Sequence, residues 1–352
     1  MNMERRTILQ AALAPLLLPL FGGHALAAVQ PLSDVSPIRI IQTNDPRTII
    51  DQVSAPGFAQ ALGSAVLGFL QDNYASGNLP VWKKPLSQID LQSRLPEIAR
   101  YVVQGIIRHA SIHPVDPCWI MAQMMAESFF YEFAVSSALA VGPCQFIAPT
   151  AQGYGLICAD AHTLPPGSVR RPDLEPEFAK AARLRDQVRT LRRDHTDLFN
   201  SPAKLLRSAL QANAGGQVMP DASTHLATLQ RMEGLQSQYN AARDNARTFL
   251  TENYQGRSIF NPADVVFFEQ FEQRVLYPYS INAMVKMMAE NLRARGGNIL
   301  AATAGYNAGL GNTTYPAGVY TTYGRIPNFS ETVDYVSKIV INHHEILRRL
   351  SS

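Results

Sequence analysis

Apolar residues recur every three or four positions through most of this chain, whereas the apolar and polar alternation of a β-strand is scarce. The stretch 57–74 is an example, with Phe58, Leu62, Val66 and Phe69 at helical spacing. Such spacing places the apolar side chains on one face of a helix, where they can pack into a core. With 352 residues, of which 46% are hydrophobic and 17% charged, the chain can bury a sizeable core. The sequence therefore predicts a mainly α protein.

The first 27 residues are typical of an export signal. Arg5 and Arg6 precede an apolar run over 8–21, which is followed by the small-residue site at 25–27. The run is shorter than the roughly 20 residues that a membrane-spanning helix needs. We expect a signal peptide over 1–27, ordinary or of the twin-arginine type, and a periplasmic or secreted mature protein. No later stretch approaches a transmembrane length, so no permanent transmembrane anchor is predicted.

Composition divides the rest of the chain into three parts. The first is an irregular leader, rich in Pro, Asp, Gln and Thr up to about residue 56, followed by one helix. A main domain of apolar helices is interrupted by a more polar segment. The predicted bounds are 28–90 for the leader and helix, 91–160 with 260–352 for the main domain, and 161–259 for the insertion.

The insertion differs from the main domain by its two long polar helices, predicted at 176–195 and 222–253. Apolar residues of the second helix alternate in steps of three and four, which is typical of a helix packed along a partner helix. They are Met232, Leu235, Tyr239, Ala242, Ala246 and Phe249. We therefore expect a helical hairpin with a Pro- and Gly-containing connection. It is predicted to act as a lid, as a wall of a groove or as a docking site for a protein partner.

Proline positions mark two helix starts in the main domain. Asp116 followed by Pro117 places an N-cap before a proline at the first helical position, which predicts a helix over 118–128. Pro96 is similarly expected in the first turn of a helix over 95–110.

Charge and cysteine content exclude some classes of function. The net charge of +3 is too small to indicate nucleic-acid binding, which requires dense Lys and Arg patches on one face. Cys118, Cys144 and Cys158 would enter an oxidising compartment, where thiols tend to pair; buried free thiols are the alternative. Neither the cysteine spacing nor the scattered histidines form a metal signature, so no metal and no cofactor are predicted.

The residues most suited to chemistry surround Glu127. On the predicted helix this carboxylate lies near Met124 and is followed at once by Phe129 and Phe130. Apolar neighbours reduce the hydration of a carboxylate, so its neutral form is favoured and its pKa is expected to rise. A general acid that works near neutral pH requires a carboxyl of this kind.

Several motifs follow one another in order along the chain. They are Glu127-Ser128, then Ser136 through Gly142 to Gln145 with Pro149-Thr150-Ala151, then Gly305-Tyr306-Asn307-Ala308-Gly309. His113-Pro114-Val115-Asp116-Pro117 precedes them, and Ile326-Pro327, Glu331-Thr332 and Tyr335-Val336 follow. In this order the motifs resemble those of the soluble-type lytic transglycosylase domain, which is related in fold to goose-type lysozyme. The resemblance covers about 95–158 and 260–347.

The chain departs from that family pattern in three places. Pro143-Cys144 stands where the family has Leu-Met, in the segment that lines the groove beside the family's catalytic carboxyl. Gly305 stands where the family has alanine. The insertion between the second and third motifs is far longer than the usual connection.

The resemblance implies a lysozyme-like lytic transglycosylase domain, with a long inserted helical hairpin, that binds the glycan strands of peptidoglycan. Glu127 would protonate the glycosidic oxygen between N-acetylmuramic acid and N-acetylglucosamine. It would then remove the proton of the muramic C6 hydroxyl, which leaves a 1,6-anhydro ring. Glu132 lies about 140° around an ideal helix from Glu127, so no second catalytic carboxylate is evident. Assistance by the acetamido group of the substrate removes the need for one.

By the same resemblance, Tyr306 would hydrogen-bond and position Glu127. Three polar residues would hold the sugar groups: Ser128, Gln145 and Asn307. Gly142 and Met124 would support the site. Structural alternatives stay open: Ser128 ends a helix, Gln145 satisfies backbone groups, Tyr306 belongs to the core, and Asn307 belongs to a turn.

Two other functions fit the same residues. A lysozyme-like muramidase would add water in place of the internal hydroxyl. A non-catalytic glycan-binding or assembly module would keep the groove without the chemistry. Glu331 is expected to cap the final helix together with Ser330, and not to act in catalysis.

Overall fold

The computed structural model describes residues 40–160, 175–318 and 320–351. Within these ranges the protein is mainly α, which confirms the prediction from apolar spacing. No β-strand occurs in the described ranges, and strand-like pairing is limited to isolated bridges such as Val135 with Val141. The expected signal peptide over 1–27 lies outside the described residues.

The described α-helices are numbered in chain order. They are α1 (Pro46–Val53), α2 (Phe58–Tyr74), α3 (Leu91–His109), α4 (Pro117–Ser128), α5 (Ala148–Gly153), α6 (Glu175–Asp194), α7 (Thr196–Asn200), α8 (Pro202–Ala214), α9 (Ala222–Tyr254), α10 (Pro262–Phe271), α11 (Tyr277–Ala294), α12 (Ile299–Ala308), α13 (Tyr320–Tyr323) and α14 (Ser330–Leu350). The chain divides into two compact units, one of Met1–Cys158 with Ser258–Ser352 and one of Ala159–Arg257.

Helix α4 lies at the centre of the first unit. Its start is as predicted: Pro117 is the first helical residue, and the Asp116 carboxylate accepts hydrogen bonds from the backbone N–H groups of Cys118 and Trp119. All its residues except Ala126 and Glu127 are buried. Helices α3 and α14 pack against it, and α12 packs against α11 and α14. The Glu127 side chain therefore leaves α4 on its one partly open side.

Two helices of the first unit correct the sequence analysis. Helix α1 lies within the expected irregular leader, and it begins with Asp45 and Pro46, the same start signal that marks α4. Helix α3 begins at Leu91 with Asp90 as its cap, so Pro96 lies inside the helix and not in its first turn.

The final helix corrects a third expectation. Phe329 is the N-cap of α14, and no side chain caps this helix, so Ser330 and Glu331 do not form the expected cap. Ser330 is the first helical residue, and Glu331 lies in the first turn.

The second unit is built on α6 and α9, which pack along each other. Four residues of the predicted seam of α9 are buried: Met232, Tyr239, Ala242 and Ala246. Opposite them α6 buries Ala181, Leu184, Val188 and Leu191. The connection between the long helices is itself helical, since α7 and α8 occupy most of it. None of the residues of α8 is buried.

Cys118, Cys144 and Cys158 are all free and buried, so the pairing of thiols is absent and the alternative of buried free thiols holds. In the described part of the chain, none of the helices combines the length and apolar character needed to cross a bilayer. The same residues contain no group of three or more His, Cys, Asp or Glu side chains arranged to hold a metal ion.

Candidate active site

Glu127 is half-buried near the C-terminal end of α4 and accepts a hydrogen bond from another helix. The Tyr335 hydroxyl on α14 donates to Glu127 Oε1 at 2.5 Å. The two residues are 208 positions apart in the chain, so the contact depends on the packing of α14 against α4. The Tyr335 hydroxyl therefore fixes the position of one oxygen of the Glu127 carboxyl.

Tyr335 is buried beside this carboxylate. Burial raises the pKa of Tyr335 well above its ordinary value, and the negative charge of Glu127 raises it further. The phenol therefore keeps its proton throughout the neutral range and acts as a donor to Glu127.

A loop over 134–146 lies next to Glu127, whose charge acts on the Cys144 thiol. Val141 pairs with both Val135 and Phe146 in isolated bridges, and the Gly142 N–H donates to the Ala134 carbonyl at 2.9 Å. Gly142 has φ +82°, and a Cβ atom there would lie 1.9 Å from the Arg274 carbonyl oxygen. Only glycine fits this position, because the conformation is left-handed and the Arg274 backbone passes against it.

A buried ion pair between Arg274 and Glu272 stabilises the same loop. Both side chains are completely buried, and the guanidinium donates to Glu272 at 2.7 and 2.6 Å. The remaining nitrogen of Arg274 donates to the Phe146 carbonyl at 3.0 Å. Arg274, with its charge paired by Glu272, therefore holds the loop by a hydrogen bond to the loop backbone.

Two of the predicted sugar-binding side chains instead bond to this loop. Ser128 has no exposed surface, and its hydroxyl donates to the Pro143 carbonyl at 2.8 Å. The Gln145 side-chain amide donates to the carbonyls of Ala134 and Gly142 at 3.2 and 2.9 Å. Both contacts fit the structural alternatives for these residues, since they join the loop to α4 and close it on itself.

Helix α12 brings Tyr306 and Asn307 to the same region. The Tyr306 hydroxyl donates to the Cys144 carbonyl at 2.7 Å, and its ring packs near Phe146. Asn307 accepts a hydrogen bond from Thr332 at 2.9 Å through Oδ1. Tyr306 therefore supports the loop through the Cys144 backbone, and its expected role in positioning Glu127 stays a prediction.

No family model and no solved structure matches this chain. The site is therefore interpreted from its own residues and their geometry.

Glu132 is excluded as a second catalytic carboxylate by its contacts. It is 3% exposed, and Arg94 donates to its Oε1 at 2.7 Å. The Tyr277 hydroxyl lies 3.5 Å from the other oxygen and donates to the Phe130 carbonyl at 2.8 Å. Glu132 is thus a structural carboxylate that fixes the chain after α4.

The chain leaves α4 through two residues with left-handed backbone, Phe129 at φ +51° and Phe130 at φ +63°. Such conformations cost about 1–3 kcal/mol each for residues other than glycine. Each residue's carbonyl oxygen accepts a hydrogen bond from an aromatic side chain, Trp82 for Phe129 and Tyr277 for Phe130. These contacts hold the sharp turn that immediately follows Glu127 and Ser128.

Cys144 cannot act as a nucleophile in this site. Its thiol is completely buried, and burial raises its pKa far above the ordinary value. The thiolate form that a nucleophilic cysteine requires is therefore suppressed.

One residue of the site, Tyr335, was missed by sequence reasoning, although it lies in the closing motif and donates to Glu127. The motif was recognised, but Tyr335 was given no role. Its place on the final helix was a usable signal, because that helix packs on α4. Glu331 lies one turn before Tyr335, and burial raises its pKa.

Proposed function

We propose that this chain is a peptidoglycan lytic transglycosylase with a lysozyme-like catalytic domain. The observation that supports it best is a half-buried Glu127, at the end of an otherwise buried helix, with one oxygen held by the Tyr335 hydroxyl at 2.5 Å. The order of the motifs around it and their convergence on one loop and two helices support the same proposal.

Glu127 serves as both acid and base in this proposal. Its protonated carboxyl donates to the glycosidic oxygen between N-acetylmuramic acid and N-acetylglucosamine as the bond to the anomeric carbon breaks. The acetamido group of the substrate stabilises the anomeric carbon, so no second carboxylate is needed. The resulting Glu127 carboxylate removes the C6 hydroxyl proton, and the C6 oxygen closes the 1,6-anhydro ring. This step returns Glu127 to its protonated form.

The other predicted site residues act mainly through the shape of the groove. Ser128, Gln145 and Tyr306 use polar atoms to fix the loop over 134–146. Thr332 uses the Oδ1 of Asn307, so the amide nitrogen is the group with which Asn307 would contact a sugar oxygen. Met124 is completely buried under the site and contributes apolar surroundings.

Substitution Glu127→Gln tests this proposal. The variant keeps the shape of the side chain but has no proton to donate, so we expect lytic activity on purified sacculi to fall about a thousandfold. Binding of the glycan should persist. Glu97→Gln is the control, since Glu97 is a partly exposed carboxylate on α3 that pairs with Arg100 and lies outside the site. Full activity in Glu127→Gln would overturn the catalytic assignment.

Mass spectrometry of the products distinguishes the transglycosylase from a muramidase. Ring closure yields anhydro-muropeptides that are lighter by one water than hydrolysis products. Hydrolysed ends would replace this proposal with the lysozyme-like alternative. Glycan binding by a wild-type protein that releases no product would favour the assembly module.

The proposed substrate requires export, and the predicted signal over 1–27 supplies it. Cell fractionation tests this location directly: the mature chain should be recovered in the periplasm or the medium. Retention of the chain in the cytoplasm would contradict the proposed access to peptidoglycan.

A further inference from the structure

Gln123 is a buried polar residue that the proposed mechanism does not use. It has no exposed surface, and neither its Oε1 nor its Nε2 has a hydrogen-bond partner among the described residues. Ile120, Met121 and Met124 around it on α4 are also completely buried. An unpaired amide among such neighbours costs stability that a methionine or leucine would avoid. A residue of this kind calls for a functional explanation.

The packing of α14 places Gln123 opposite Tyr335. The two helices run antiparallel here, because Tyr335 bonds to Glu127 while Asn342 donates to the Ala122 carbonyl at 3.4 Å. Gln123 lies one turn before Glu127, on the face of α4 between these two contacts. Burial raises the pKa of Tyr335, and the Gln123 amide opposes that rise. The amide is therefore near the phenol oxygen, although the contact falls short of a formed hydrogen bond.

The donors and acceptors of the three side chains fit one arrangement. Tyr335 has one proton, which it donates to Glu127 Oε1, and its oxygen can accept from other donors. The Gln123 Nε2 carries two protons and can supply such a donor. An amide that donates to the phenol oxygen keeps the phenol proton directed at Oε1. The hydrogen bond at Oε1 then keeps the Glu127 carboxyl in one orientation.

We propose that Gln123 is a positioning residue that acts through Tyr335 to orient the Glu127 carboxyl. This inference deepens the proposed function and rests on it for its catalytic consequence. When Glu127 is negatively charged, its hydrogen bond from Tyr335 becomes stronger. The hydrogen bond from the Gln123 amide to the phenol oxygen then becomes stronger as well, because hydrogen bonds in a chain polarise one another.

Substitution Gln123→Met tests the proposal because it keeps the volume and removes both polar atoms. We expect kcat to fall about tenfold with little change in KM, since the acid is misdirected while the groove is intact. The titration midpoint of the Glu127 carboxyl, measured by carbon-13 NMR, should move to higher pH, because its donor is weakened. The melting temperature should stay level or rise, since an unpaired buried amide has been removed.

A double-mutant cycle with Tyr335→Phe gives the sharpest readout. If Gln123 acts through the phenol, Gln123→Met should cause no further loss of kcat once the hydroxyl is absent. Met121→Leu is the control for repacking of α4, since Met121 is equally buried and similar in volume to leucine. Its kcat and its Glu127 midpoint should match the wild type.

The outcomes separate this inference from the proposed function. An unchanged Glu127 midpoint and unchanged kcat in a folded Gln123→Met protein would overturn the positioning role. Independent, additive losses in the cycle would overturn it as well. If Gln123→Met does not fold, Gln123→Asn shortens the amide and should give the same shift of the midpoint. A shifted midpoint in a protein whose wild type cleaves no glycan would support the positioning and reject the transglycosylase.

Discussion

At Gly142, the loop beside Glu127 passes so close to the Arg274 backbone that a side chain has no room. A Cβ would stand 1.9 Å from the Arg274 oxygen, and φ is +82°. We expect Gly142→Ala to lower the free energy of unfolding by about 3 kcal/mol, from left-handed strain together with the displaced backbone. Urea unfolding measures this change. Activity should fall as well, since Pro143 and Cys144 bond to Ser128 and Tyr306.

Gly153 provides the matched control for this prediction. It ends α5, lacks the left-handed conformation, and would meet nothing within 4 Å if it carried a Cβ. Gly153→Ala should be neutral or stabilise the protein by up to about 1 kcal/mol, through a smaller loss of chain entropy on folding. Equal stability for Gly142→Ala and Gly153→Ala would mean that the loop can move away from Arg274.

Sequence reasoning at this scale located the residues of the site better than it located their partners. Glu127 could be placed near the end of a helix because its surroundings are local: an N-cap, a proline and eleven following residues. The hydrogen bond that it accepts from Tyr335 is not local. It depends on which helix lies against α4, and Tyr306 and Tyr335 both occur in motifs that converge there. The partners of Ser128 and Gln145 likewise depend on how one loop closes.

Among the helices, Asp116 caps α4 and also joins it to α14. His343 Nε2 lies 2.7 Å from its Oδ2, and the Asp116 side chain is 25% exposed. Burial alone would raise the pKa of Asp116, but the hydrogen bond and charge of His343 and two backbone N–H groups outweigh it and lower the pKa below 3.8. The folded state therefore favours the ionised carboxylate. The contribution of Asp116 to stability is complete above pH 3.8, its ordinary pKa, and is lost as the pH falls through its lower pKa in the folded state.

Substitution Asp116→Asn isolates this contribution because asparagine still caps a helix. We expect the variant to be less stable than the wild type by about 1–2 kcal/mol at pH 6–7, through the lost charged hydrogen bond. The difference should shrink as the pH is lowered below 3.8, where Asp116 becomes protonated in the wild type. Urea unfolding of both proteins across this range measures it. A gap of constant size would show that Asp116 is not ionised in the folded protein.

Helix boundaries illustrate how far local signals carry. The pair Asp116 and Pro117 was interpreted correctly, whereas Asp45 and Pro46 carry the same signal and were missed within a polar leader. The polar composition of this stretch was given more weight than its start signal. A helix of only eight residues is stable there because α1 packs on α2 and α3. The start of α3 was placed four residues late because Pro96 was assumed to begin a helix. Pro96 lacks the backbone N–H that would donate within the helix, and its backbone lies close to Gly63. Tertiary packing stabilises the helix in spite of the missing hydrogen bond.

At the scale of the whole molecule, the motifs lie on both sides of a 99-residue unit, Ala159–Arg257, that has its own buried seam. The sequence predicted this division from a change in composition, with bounds of 161–259. The role of the second unit stays a prediction, because composition and periodicity describe how it folds and not what it binds. Its helices α6 and α9 bury apolar residues by packing on each other.

Replacing Ala159–Arg257 with a short Gly- and Ser-rich linker tests this division. The remaining unit keeps its core, so we expect it to fold with a melting temperature within about 5 °C of the full chain. Because Glu127, Tyr335 and the loop over 134–146 all belong to the remaining unit, cleavage of isolated glycan strands should persist. Localisation at the cell wall should be lost if the second unit docks a partner. A deletion that changes neither activity nor localisation would reject the partner, lid and wall hypotheses together. Loss of cleavage in a variant that still folds would instead favour the hypothesis that the second unit forms a wall of the groove.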